Sequence, residues 1–236
     1  MGRERRLLMK TRLEAWVVVW VLVGSAAVQA GPLTQPGPGM WSATASYLWP
    51  GETAIRDYAW EGREIRIPSP HKRYSLLVSG SDLTVVDQQD GARKTLGSIL
   101  IFSLAEVEWS PDSSGFYVNQ SDGGWVGSWS VSVYGLQSGR LVKLNAGQKA
   151  LTDFSGKTRE WCPDEFPNMA AAGWAHSGKA ILLVGEAPRH SSCPAMGRLY
   201  GYLVSITDGR ILAEYDEVTL NKRWGKQLGP RLRRGP

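Results

Sequence analysis

Glu108-Trp109-Ser110-Pro111-Asp112, with Phe116-Tyr117-Val118 following after a gap of three residues, is the stretch that decides the fold. Proline presets φ, and the aspartate carboxylate accepts backbone N–H groups, so this segment reads as a tight turn feeding an apolar strand. Two looser copies flank it. Ile67-Pro68-Ser69-Pro70-His71 precedes the apolar run 74–78, and Gly173-Trp174-Ala175-His176-Ser177 precedes 181–184. In every copy a second apolar run follows, then a glycine turn: Asp90-Gly91, Ser138-Gly139 and Asp208-Gly209. Ser69 and Ser110 stand 41 residues apart, the length of one four-stranded repeat, while Ser110 and Ala175 are separated by 65. Repetition of strands and turns at that period predicts a stacked-sheet architecture.

Between the turns the pattern is β. Trp129, Val131 and Val133 alternate with Ser130, Ser132 and Tyr134, the period of a half-buried strand. No amphipathic helix is predicted anywhere. The Trp-Ser-Pro-Asp turn followed by Phe-Tyr-Val resembles the repeat of TolB-type and WD40-like β-propellers, over about 150 residues. That resemblance implies an all-β fold of four-stranded antiparallel blades. In the first and third copies His71 and Ser177 replace the aspartate, so those turns lose the side-chain cap. The motif is structural, and no catalytic residue is carried over from it. Closed propellers need at least four blades, and three repeats are legible. The array is either incomplete, and closed by oligomerising, or completed by N- and C-terminal strands drawn from 41–60 and 218–224.

The chain divides accordingly. Residues 1–30 carry a basic head (Arg3, Arg5, Arg6, Lys10, Arg12), an apolar stretch and Ala30, the layout of a cleaved secretory signal. Residues 31–40 are a Pro/Gly-rich leader expected outside any sheet, 41–221 the β domain, and 222–236 a basic tail expected to be disordered. The formal charge of +5 is a property of the ends: residues 1–30 contribute five basic and two acidic side chains, so their removal leaves +2. Since the tail holds six of the remaining cations, the body is acidic, which argues against a nucleic-acid partner. The tail itself is suited to a weak contact with an anionic surface.

Cys162 and Cys193 are the only cysteines. An even pair in an exported chain reads as a disulfide, worth about 3.7 kcal/mol in the chain-entropy treatment for a loop of this size. Zinc would need four firm ligands; Cys162, Cys193, His190 and Asp164 supply three at best. Asp82, Asp87 and Asp90 surround a hairpin turn and are not read as a calcium loop. No cofactor or metal is expected. There is no G-x-S-x-G elbow, and His71 and His176 occupy repeat turns. His190 alone stands in a long loop, where a site would be placed.

Three connections are enlarged: 120–128, 145–168 and 186–198. Loops at equivalent places of stacked repeats emerge on one face, where binding surfaces form. Trp125, among glycines at the tip of the first loop, and Trp129 at its base are the aromatic candidates, with His190 in the third. The reading is an exported, secreted or periplasmic, non-catalytic binding or scaffolding module for a protein, peptide or glycan ligand. A small hydrolase or lyase joining His190 to Asp164 or Glu165, and an envelope subunit assembling through sheet edges, are the alternatives.

Overall fold

The computed structural model describes residues 37–48, 64–79, 82–98, 104–123, 128–137, 140–189 and 193–233. Fourteen strands form among them: β1 (Gly37–Pro38), β2 (Ser46–Tyr47), β3 (Glu64–Pro68), β4 (Tyr74–Ser79), β5 (Asp82–Asp87), β6 (Arg93–Ser98), β7 (Ala105–Trp109), β8 (Gly115–Ser121), β9 (Trp129–Gln137), β10 (Arg140–Leu144), β11 (Asn168–Ala175), β12 (Ala180–Glu186), β13 (Leu199–Ser205) and β14 (Ile211–Asp216). Two helices join them, α1 (Gln148–Trp161) and α2 (Glu217–Trp224). The protein is mostly β, and each sequence repeat becomes one antiparallel sheet of consecutive strands: β3–β6, β7–β10 and β11–β14. The second sheet is extended at its β7 edge by β2 and then β1. No ladder among the described residues joins one sheet to another.

The repeat turns share a backbone feature, and the first two are alike in detail; in the third, His176 (50°) and Ser177 (55°) are left-handed as well. Counting from Ser69, Ser110 and Ala175, the third residue onward has positive φ in all three: Lys72 (60°), Ser113 (59°) and Gly178 (90°). In the first two turns the serine hydroxyl accepts the N–H five residues ahead, from Tyr74 at 3.2 Å and from Gly115 at 2.9 Å. Asp112 performs the capping role expected of it, accepting from Ser114 N at 3.0 Å and from the Ser110 and Ser114 hydroxyls. Burial works to raise its carboxyl, but those donors outweigh it and hold it below the usual range.

Contacts between sheets repeat as well. The Trp109 indole N–H donates to Ile67 O at 3.1 Å, and that of Trp174 to Glu108 O at 3.4 Å; donor and acceptor occupy the same repeat positions in both cases. His71 N donates to Ser113 Oγ at 2.9 Å. At the next junction a Cβ on Gly178 would come within 2.8 Å of the Asp112 carboxylate. The core follows this stacking. One apolar cluster fills the space between the first and second sheets around Leu76, Val107 and Phe116. Another joins the second and third through Tyr117, Val133, Ala171 and Leu183. A third covers the far face of the third sheet with Leu220, Leu228, Leu232 and Trp41.

Several expectations are corrected. The leader is not wholly outside the sheets, since Gly37 and Pro38 pair with Tyr47 and Ser46. Both helices escape the sequence pattern. α1 mixes strong helix formers (Gln, Lys, Ala, Leu, Arg, Glu) with Thr, Ser and Gly, which form helices poorly, and docking secures it: Ala150 and Phe154 are buried, and Phe154 sits on Gly185, where a Cβ would approach its ring to 2.3 Å. α2 replaces the strand anticipated at 218–224. Its Leu220 seats on Gly201 in the neighbouring strand, and Asp216 caps it by accepting from Thr219 N at 2.8 Å.

The basic tail is ordered through Arg233. Leu228 and Leu232 are buried, and main-chain bonds clasp the segment to the N-terminal end of the domain: Ala43 N to Gln227 O (2.8 Å), Gly229 N to Trp41 O (2.8 Å) and Arg231 N to Met40 O (3.0 Å). Leucines spaced four apart in a cationic stretch supply the apolar contact that a count of charges hides. The signal-like segment lies outside the described residues. No helix among the described residues is long and apolar enough to cross a membrane.

Candidate ligand-binding groove

The long connection 145–168 builds a groove. α1 presents Gln148, Leu151 and Ser155 on one face, because residues three and four apart align along a helix. Opposite stand Val131 and Val133 of β9 and Leu144 of β10, with Met169 at the start of β11 closing the floor. The cavity is about 480 Å³, within the range of small-ligand clefts. Phe166, on the extended segment between α1 and β11, stands at its rim and is 83% exposed. An aromatic ring left that far in water beside an apolar cleft is the arrangement of a binding anchor.

The walls are fastened from behind. Cys162, the residue that ends α1, is disulfide-bonded to Cys193 with their Cα atoms 5.3 Å apart. That bond ties the 145–168 connection to the 186–198 loop, as the cysteine count predicts. Trp129 N donates to Asn168 Oδ1 at 2.9 Å, and Asn168 Nδ2 donates to Glu186 Oε2 at 3.1 Å. The bases of all three enlarged connections are thus joined by one disulfide and one Asn.

Glu186 is fully buried and is held by two cations, Arg189 at 2.6 Å and Arg231 at 2.7 Å. The Arg231 guanidinium also lies over Trp41 (4.9 Å) and Trp129 (5.8 Å), and the two indoles pack 5.7 Å apart. Trp129 is 5% exposed. It borders the groove but is buried in the core, with Trp41 and Arg231 packed on it. Trp125 and His190 lie outside the described residues.

Deeper still is a polar seam at the junction of the second and third sheets. Glu106 is fully buried and accepts from Met40 N (2.5 Å), Trp41 N (3.1 Å) and Asn119 Nδ2 (2.6 Å). Burial pushes its carboxyl up to about 7, although these donors pull the other way. Two residues on, Glu108 accepts from Thr44 Oγ1 (2.7 Å), Ser42 Oγ (3.1 Å) and the Tyr117 hydroxyl. Burial, with Glu108 and Glu106 beside it, drives the Tyr117 phenol well above its ordinary range. These groups bond to one another and anchor the N-terminal segment. Among the described residues, no three His, Cys, Asp or Glu side chains converge as metal ligands would.

Phe166, Leu151 and Met169 were not singled out by sequence reasoning, because which apolar residues a fold brings together around a cleft or leaves in water is not written in a local pattern. Glu106, Glu108 and Asn119 left a readable trace: charged or amide side chains inside otherwise apolar strand runs. No family model, curated protein or solved structure matches the chain.

Proposed function

We propose that this protein is an exported, non-catalytic binding module of β-propeller-like architecture, which holds its ligand in the groove between β9–β10 and α1. The single observation that carries the reading is Phe166, exposed at the rim of an apolar cleft whose walls are pinned by a disulfide and by Asn168. Prefixing such walls lowers the ordering cost of capture. The propeller-like reading is supported by the repeated Trp-to-carbonyl contact from one sheet to the next, which gives successive sheets the same relation. Export is supported by the secretory layout of residues 1–30, and the disulfide is consistent with an oxidising compartment.

The test is a fragment screen by NMR, using a set that spans peptides, glycans and lipids. Binders should perturb amides of β9, β10, α1 and residues 166–169, and Leu151→Glu should abolish those perturbations while leaving the remaining spectrum in place. Binders mapping elsewhere, or surviving Leu151→Glu, would refute the groove as the ligand site.

A further inference from the structure

We infer that Asn119 is an N-glycan acceptor in the unfolded chain whose modification is incompatible with the fold, so that this protein is exported by a route that transfers no N-glycan before folding. Asn119-Gln120-Ser121 is the one Asn-x-Ser or Asn-x-Thr tripeptide in the chain; Asn145, Asn168 and Asn221 have neither Ser nor Thr two places on. In an exported protein that tripeptide is the acceptor pattern for an N-linked glycan, and it belongs on a surface loop. Here it lies in β8, a strand hydrogen-bonded on both sides, to β7 and to β9. Asn119 is 0% exposed and Ser121 1%.

Attachment falls on an atom that the fold has already used. A lipid-pyrophosphate-linked oligosaccharide gives up its first sugar carbon to the asparagine amide. The Nδ2–C bond forms, the C–O bond to the pyrophosphate breaks, the lipid pyrophosphate leaves, and Nδ2 loses one of its two protons. In the folded protein Nδ2 donates twice, to Glu106 Oε1 at 2.6 Å and to Ala171 O at 2.8 Å. A sugar in place of either proton leaves a buried acceptor unmatched and sets a pyranose ring where Glu106 or Ala171 stands, at the packed junction of the second and third sheets. The folded chain is closed as a substrate too. The Ser121 hydroxyl, the second element of the acceptor pattern, is buried and accepts from Gly123 N at 3.2 Å. Glycan transfer therefore has to precede folding, and a chain that has received the glycan cannot close Asn119 onto Ala171.

This exclusion uses the export reading above and owes nothing to the groove, so failure of either leaves the other intact. It separates two settings that a signal-like segment and a disulfide leave equal. Passage through an endoplasmic reticulum exposes Asn119 to the transferase while the chain is still open, whereas a bacterial-type envelope leaves it bare.

The experiment translates the full chain, with an Asn-Ala-Thr tail added after Pro236 to report import and transfer, into microsomal vesicles that carry the transferase. A reductant keeps Cys162 and Cys193 apart and delays folding. Under it a species with two glycans should form, and Ser121→Ala should reduce it to one. After oxidation, the doubly modified species should be at least about tenfold more sensitive to protease than the species modified on the tail alone. Purified folded protein offered to opened vesicles should gain the tail glycan only.

Equal protease resistance of the two species, or modification of Asn119 in the folded protein, overturns the incompatibility. A chain whose tail is modified and whose Asn119 stays bare, even under reductant and with Ser121→Thr, overturns the acceptor assignment.

Discussion

The Asn119 amide takes the place of a neighbouring strand against Ala171. Its Oδ1 accepts from Ala171 N at 2.7 Å, and its Nδ2 donates to Ala171 O at 2.8 Å, across 52 residues of chain. A carboxamide presents the same donor and acceptor pair as a peptide group, so one side chain of the second sheet closes the edge of the third. The same Nδ2 also donates to Glu106. Because Ala171 fixes which end of the amide faces which way, Asn119 can offer Glu106 only a donor, and the buried Glu106 carboxyl meets donors on both oxygens.

Asn119→Ala should therefore strip partners from three buried groups at once: Ala171 N–H, Ala171 C=O and the Glu106 carboxylate. At about 1–3 kcal/mol for each buried group left unmatched, we expect a loss of about 3 kcal/mol or more. Urea unfolding at neutral pH measures it. A loss under about 1 kcal/mol would show that the seam relaxes or admits water.

The Glu106 carboxyl makes stability depend on pH. Its folded pKa, about 7, lies above the value of 4.5 expected in the unfolded chain. Between these values the folded state holds the proton more tightly, so stability is greatest below about 4.5, falls as pH rises, and levels off above about 7. The full span corresponds to about 3 kcal/mol, at roughly 1.4 kcal/mol per pH unit. Glu106→Gln has no proton to lose. The difference in unfolding free energy between wild type and this variant should therefore move in the variant's favour from pH 4.5 to 7. A pH-independent difference would place the carboxyl at an ordinary pKa.

The C-terminal clasp is a load on the core rather than a loose end. Arg231→Ala leaves the buried Glu186 with Arg189 as its one cation, beside the Asn168 amide, and takes the cation from Trp41 and Trp129. Breaking one side of a buried ion pair costs about 3–5 kcal/mol. Termination after Lys226 should be worse, because it also uncovers the surface beneath Leu228 and Leu232. Both effects are read as a fall in melting temperature and faster proteolysis. Unchanged stability on truncation would mean that the segment is dispensable.

Much of this was legible in the residues and much was not, and the division has a physical cause. Turn chemistry is local. Pro111 and Asp112 act within five residues of themselves, so the three turns, the strands they feed and the order of the sheets could be read directly. The pairing of Cys162 with Cys193 followed from arithmetic, there being no other thiol. α1 was not read that way: its good helix formers are interrupted by Thr, Ser and Gly, and Phe154 finds its seat on Gly185 only once the third sheet exists.

Tertiary structure alone decided the site. It turned Trp129 inward beneath Arg231 and left Phe166 in water at the rim of an apolar cleft. It also folded a cationic tail back over Trp41, through two leucines whose partners stand nearly two hundred residues earlier. Exposure is a property of what packs against a side chain, and those neighbours come from distant repeats. A turn carries its own instructions, whereas a groove exists only between elements that the chain has already brought together.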